Sequence, residues 1–244
     1  MGAEFYGEDF QGPDVAPFVG INTFLHLPWI KNQKELLEAK PDVAIIGEPF
    51  DFGTTIRPGA RYGPRAIRAA STIPSPPFER FNIETGADPF GTFRTVDYGD
   101  VNVTPGDVIG SHKSMTLKVK EVLEADGIPV MLGGDHSITY ANVRAFQKKF
   151  KNIGMIHFDT HADCAPQGLT GFKYDHGAHI RRIMEMGCLK GKNYSLVGPR
   201  GYWPGRDLYK WMADQDFQWF TMLDVEELGV DYIAKEIADR ANDG

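Results

Sequence analysis

Short apolar runs recur along the chain at residues 43–46, 128–132, 153–158, 194–197 and 219–223, with a weaker one at 95–98. Runs of this length, bounded by Gly, Pro, Asn and Asp, predict buried strands. Between them the apolar spacing lengthens to that of helices. Met115, Val119, Val122 and Leu123 share one helical face, with Gly127 placed to end the helix. Ile180, Ile183 and Met184 lead to Gly187 in the same way, and Val230, Ile233, Ile237 and Ala241 mark a third stripe. Strand and helix therefore alternate, which predicts a mostly parallel sheet covered on both faces, with sites at the carboxyl ends of the strands.

Outside this alternation the pattern thins. Residues 1–41 read as an irregular N-terminal arm, and residues 73–89, rich in proline, as a long loop. Neither resembles a linker, so a single domain over residues 1–244 is expected. After the last helical stripe, Asn242-Asp243-Gly244 reads as a turn leading into a further strand, so the chain is expected to stop within a βα unit.

Composition narrows the function classes. A net charge of −7 offers no basic face for nucleic acid and suits a small cationic ligand better. The two cysteines, Cys164 and Cys188, are too few for a disulfide framework or a thiolate zinc site. Acidic residues Glu4, Glu8 and Asp9 stand where a secretory signal needs basic ones, and no apolar run reaches membrane-spanning length. A cytoplasmic protein with no membrane partner is the expectation.

Two motifs carry the chemistry. Asp159-Thr160-His161-Ala162-Asp163 follows directly on the run 153–158. Alternation in an extended chain turns Asp159, His161 and Asp163 to one side of a strand end. Gly133-Gly134-Asp135-His136-Ser137 follows the run 128–132, and its glycines allow a sharp turn that brings His136 over a neighbouring strand. Two imidazoles and two carboxylates in one crevice are ligands for a divalent metal. Donors of nitrogen and oxygen without thiolate favour Mn ahead of Zn, Fe, Ni or Co. A carboxylate-rich site holds two ions about 4 Å apart and turns a bridging water into hydroxide near neutral pH. Asp159 is placed to bridge the ions, and Asp163 to bind one while orienting the hydroxide.

These motifs, with His157-Phe158 before the second and His176-Gly177 after it, resemble the ureohydrolases: arginases, agmatinases, guanidinobutyrases and relatives. The resemblance covers the chain from about Asp42 onward. It implies a three-layer α/β/α sandwich assembled as a homo-trimer or hexamer. It implies manganese ligation by His136, Asp159, His161 and Asp163, and a proton-shuttling role for His176 near the leaving amine. Read without the resemblance, His176 is equally a helix-capping residue before Gly177.

The loop Arg57-Pro58-Gly59-Ala60-Arg61-Tyr62-Gly63-Pro64 looks like the agmatinase branch, with Gly63-Pro64 opening a helix and the arginines structural or interfacial. Where arginases carry aspartates that read an α-amino group, Gly201, Tyr202 and Trp203 stand instead, and the aromatic pair suits the methylene chain of agmatine. The expected reaction is hydrolysis of agmatine to putrescine and urea, with guanidinobutyrate or guanidine as alternatives. Cys164 stands where many agmatinases have Thr, and reads as a small hydrophobe. The family also uses a later Asp-x-Asp pair on a strand and a Glu, and neither has a match before Gly244. The resemblance therefore implies that the C-terminal strands are missing, that strand edges are exposed, and that the chain alone is inactive. A non-catalytic scaffold of this fold, and the related fold of metal-dependent deacetylases, are the competing readings.

Overall fold

The computed structural model describes residues 19–72, 81–169, 171–202 and 204–242. The start of the N-terminal arm, the proline-rich first part of the loop 73–89, and Trp203 lie outside the described residues. In chain order the first half forms α1 (Gln33–Ala39), β1 (Val43–Gly47), α2 (Gly63–Ser71), α3 (Pro89–Thr92), β2 (Thr95–Asp100), α4 (Val108–Glu124) and β3 (Ile128–Leu132). The second half forms α5 (Ile138–Lys149), β4 (Ile153–Phe158), α6 (His179–Glu185), β5 (Leu189–Val197), α7 (Arg206–Asp214), β6 (Gln218–Phe220), α8 (Met222–Leu228) and α9 (Val230–Asn242).

The chain divides into two compact units, one of residues up to Phe52 with Arg57–Asp135, the other of Gly53–Ile56 with His136–Gly244. Each carries its own three-stranded parallel sheet, ordered β2-β1-β3 in the first and β4-β5-β6 in the second. Parallel strands require crossovers, and helices supply them, as the alternating periodicity predicts.

In the first unit β1 is the central strand, and Ala44, Ile45 and Ile46 are buried. Met115, Val119 and Val122 of α4 are fully buried on the face that their spacing marks out. That helix does not run to Gly127. It ends at Glu124, and Asp126 takes the left-handed turn at φ 59°. Gly63-Pro64 opens α2 as expected, with Pro64 in the first turn. Gly134 has to be glycine, because a Cβ there would meet the backbone carbonyls of Phe50 and, at 2.6 Å, Glu48. Arg61 is structural: its Nε donates to Asp51 at 2.5 Å and its guanidinium lies 4.6 Å from the Phe52 ring centroid.

Two strands differ from the expectation of full burial. Ile128 is 64% and Val130 40% exposed on β3, and Ile156 is 52% and Phe158 75% exposed on β4. Each is the end strand of its three-stranded sheet, so one face or edge of it has no cover within its own unit. The N-terminal arm is also more regular than its composition suggests, since Asn32 caps α1 by accepting the Glu35 N–H. Among the described residues no helix is long and apolar enough to cross a membrane.

The core of the second unit gathers Val143, Ala162, Cys164, Ile180, Ile183, Cys188, Leu189, Tyr194, Leu196, Met212 and Phe217. Truncating Ile180 or Ile183 to Ala in such a core costs about 2–5 kcal/mol. Ala162 and Cys164, packed in it, flank Asp163 and fix where that carboxylate stands.

Candidate metal centre

Along β4, Gly154, Ile156 and Phe158 are exposed, while His157 is the strand's one buried residue. The pleat therefore sends His157 inward. Its Nδ1 lies 2.6 Å from the hydroxyl of Tyr194, a fully buried residue of the neighbouring β5. Its Nε2 has no hydrogen-bond partner and lies 3.4 Å from Asp159 Oδ2.

Asp159 continues the line of β4, donating its N–H to the Val197 carbonyl at 3.1 Å. Its two oxygens face different histidines. Oδ2 is 3.0 Å from His136 Nδ1, whereas Oδ1 accepts the His161 N–H at 2.8 Å and lies 3.6 Å from His161 Nδ1. Four residues on, Asp163 has a left-handed backbone at φ 45°, rare for a residue with a side chain, and its Oδ2 is also 3.0 Å from His136 Nδ1. His136 itself stands in the turn that opens α5.

The start of α6 is tied to this loop. Ile180 N–H donates to the Asp163 carbonyl at 3.0 Å, and Arg181 Nε to the Cys164 carbonyl at 3.1 Å. The Arg181 guanidinium also sits 3.5 Å from the Trp211 ring centroid, which holds α6 against α7. His179 is fixed between these contacts, 1% exposed, with its ring centroid 4.1 Å from that of His136. Its Nδ1 is 2.8 Å from the His176 carbonyl. A carbonyl only accepts, so Nδ1 carries the proton and Nε2 keeps its lone pair. That Nε2 is buried without a hydrogen bond.

His136, His157, Asp163 and His179 thereby offer four donor atoms within 4.8 Å of one another. Burial opposes the charge on His136, but Asp163 and Asp159 outweigh it and raise its pKa. For His157 and His179 burial wins, with the charge of His136 adding to it, so both are held neutral. Burial also opposes ionisation of Asp159, yet the His161 N–H and the nearby imidazoles hold it below its ordinary value. The neutral imidazoles of His157 and His179, each with a bare Nε2, beside the carboxylates of Asp159 and Asp163 are the donor chemistry of a divalent metal site, so the residues present fit such an ion.

Of the residues expected from sequence, His136, Asp159 and Asp163 converge. Among the described residues His161 approaches Asp159, and its side chain is 56% exposed. His176 caps no helix, since α6 begins at His179 after Ala178. Its Nε2 lies 2.9 Å from Thr55 Oγ1, which also donates to Asp175 Oδ2 at 3.2 Å. Tyr202 is fully exposed, and Trp203 is not among the described residues. Cys164 is a core hydrophobe, its thiol pushed up to about 12 by burial. Two candidate ligands escape the motif reading. His157 shares the alternation of Asp159, His161 and Asp163, a signal that was available. His179 stands three residues after His176, and nothing in the pattern sets it apart.

The sequence profile of the arginase family matches residues 41–244. The mitochondrial agmatinase of Gallus gallus is 37% identical over 213 residues, covering 86% of this chain and 60% of that protein. The mitochondrial guanidino acid hydrolase of Homo sapiens is 38% identical over 204 residues, covering 84% of this chain and 55% of that one. Among solved structures, proclavaminate amidino hydrolase from Streptomyces clavuligerus aligns with a TM-score of 0.80 at 29% identity, over 93% of this chain and 72% of that chain. The chain thus spans less than two thirds of the length of these two curated relatives.

Proposed function

Because the chain belongs to the arginase family, we propose that it serves the metal-dependent hydrolysis of a guanidino compound, with agmatine, cleaved to putrescine and urea, as first candidate. The observation that carries this reading is the division of Asp159, whose Oδ2 faces His136 and whose Oδ1 faces His161. A carboxylate shared in this way is suited to bridge two cations. His136 and Asp163 would hold one, His161 the other, with manganese the first candidate and Ni, Co, Zn or Fe the alternatives. Such a pair supplies Lewis acidity that makes water nucleophilic near neutral pH.

The chain's own residues then have distinct tasks. Asp163 orients the attacking water toward the guanidinium carbon. As the C–N bond to the leaving amine breaks, His176 delivers a proton to that nitrogen, and Thr55 keeps the imidazole turned by the contact to its Nε2. Tyr202 and Trp203 are assigned to the methylene chain of the substrate. The cytoplasmic location and the trimeric or hexameric assembly are parts of the same proposal, and ultracentrifugation tests the latter.

The test is urea release from agmatine, 4-guanidinobutyrate and guanidine by a manganese-loaded protein that carries the later Asp-x-Asp pair and Glu as well as this chain, with and without chelator. Release from agmatine that is lost on chelation and restored by manganese is expected. Release from 4-guanidinobutyrate alone moves the substrate to the guanidino acids, the class acted on by the human relative according to its name. A protein that holds metal yet releases urea from none of the three is a scaffold of this fold. Activity on an acetylated lysine points to the deacetylase reading.

A further inference from the structure

We propose that Thr55 and Asp175 are positioning residues that fix which nitrogen of His176 carries the proton, so that the imidazole exchanges protons with the leaving amine through Nδ1. The inference deepens the proton-delivering role given to His176 above and rests on it.

The three side chains form a short hydrogen-bonded series. Thr55 Oγ1 donates to Asp175 Oδ2 at 3.2 Å and lies 2.9 Å from His176 Nε2. A hydroxyl has one proton to give. Asp175 is buried, and hydrogen bonds to a charged acceptor are the stronger ones, so depriving that carboxylate of its donor costs more than turning a neutral imidazole nitrogen into a donor. The Thr55 proton therefore goes to Asp175, and the hydroxyl meets Nε2 with a lone pair. Nε2 must then be the protonated nitrogen of the neutral ring, and Nδ1 the basic one. A proton released by the attacking water is taken on the Nδ1 lone pair and passed to the leaving nitrogen as its C–N bond breaks, which returns the ring to its starting form.

The backbone holds each member in place. His176 N–H donates to the Gly53 carbonyl at 3.0 Å, two residues before Thr55, and so ties the two segments together. The oxygens of Asp175 divide their work: Oδ1 accepts the Gly177 N–H at 2.8 Å and shapes the turn before α6, while Oδ2 takes the Thr55 proton. Room for the carboxyl comes from Gly168, where a Cβ would stand 2.6 Å from that of Asp175.

Nitrogen-15 NMR of the imidazoles in the 244-residue chain, above about pH 8 where an ordinary imidazole is neutral, reads the tautomer directly, and His176→Gln identifies the signals. The wild type, a readout that needs no variant to fold, is expected in the Nε2–H form. In Asp175→Asn the Gly177 N–H holds the amide oxygen, so the amide nitrogen faces Thr55 and frees the hydroxyl proton for Nε2. The tautomer should invert to Nδ1–H, whereas Thr55→Ser should keep the Nε2–H form. In a protein that also carries the later Asp-x-Asp pair and Glu, Asp175→Asn should lower kcat for urea release about 10-fold or more with KM little changed, a part of the roughly 10²–10⁴ that a general acid contributes. An Nδ1–H wild type, a folded Asp175→Asn variant with the tautomer of the wild type, or an inverted tautomer with unchanged kcat overturns the inference. The expected tautomers in a protein that releases no urea overturn the proposed function instead and leave the hydrogen-bond assignment standing.

Discussion

Arg68 with Asp97 in the first unit, and His157, Asp163 and His179 beside the half-buried His136 in the second, are both largely buried polar clusters, but they differ in what is left unpaired. Asp97 takes Arg68 Nε at 2.7 Å and Phe24 N–H at 2.7 Å on Oδ2, and Arg68 Nη2 at 2.9 Å and Gly99 N–H at 2.8 Å on Oδ1. Asp100 pairs with the remaining arm of the guanidinium. The charge of Asp97 is met by Arg68 and its hydrogen-bonding capacity is filled within the protein, while Asp100 also faces water. In the second cluster His157 Nε2 and His179 Nε2 are bare, and one imidazole, His136, stands between two carboxylates. Evolution tolerates a buried donor or acceptor without a partner mainly where something else binds. The first cluster joins α2 to β2, and the second is shaped for a cation.

The largest effect expected from breaking this contrast is on stability. Arg68→Met leaves Asp97 buried and unpaired, and should cost about 3–5 kcal/mol. Denaturant unfolding measures it, and added metal should stabilise the variant no more than it stabilises wild type. A cost below about 1 kcal/mol would mean that the ion pair is solvated rather than sealed. Next in size, His176→Ala lies outside the metal cluster, so in a protein that also carries the later Asp-x-Asp pair and Glu it should leave metal content intact while slowing urea release about 100-fold or more, as loss of a general acid does. Unchanged turnover would make His176 structural. His161→Ala should abolish the second ion, and two ions still bound per subunit would refute that ligand assignment.

A smaller effect is expected at Tyr194→Phe, which removes the hydroxyl that orients His157. Metal affinity, read by calorimetric titration, should fall about 10-fold. A variant that binds metal as wild type does would show that packing alone holds His157 in place.

The smallest effect is on pH dependence without metal. Burial, then the charges of His136 and His157, hold the His179 pKa well below its ordinary 6.5. The unfolded chain takes up that proton near pH 6.5 and the folded one refuses it, so this group costs stability as pH falls below about 6.5, by at most about 1.4 kcal/mol per pH unit. His136, with its pKa raised, works oppositely: its contribution is full below 6.5 and fades as pH rises through its folded value. His179→Phe should flatten the loss of stability on the acid side, whereas equal slopes would mean that His179 is protonated in the fold.

By itself the sequence determined what depends on neighbours along the chain. The runs 128–132 and 153–158 are β3 and β4 residue for residue, because a strand's apolar content is written locally. Gly63-Pro64 opened a helix, Gly134 admitted a close backbone approach, and Asp159, His161 and Asp163 were legible from alternation at a strand end. Helices such as α5 and α7 were less legible, since their polar faces dilute the stripe. Only the tertiary structure decided which residues meet. His179 is brought to Asp163 by the hydrogen bond from Ile180 to the Asp163 carbonyl and by the seat of Arg181 on Trp211. His157 is turned and held by Tyr194, far along the chain. The edge exposure of Ile156 and Phe158 likewise follows from strand order. Periodicity records the face a residue presents, but a donor set is a matter of distance between segments, and distance is settled when the segments pack.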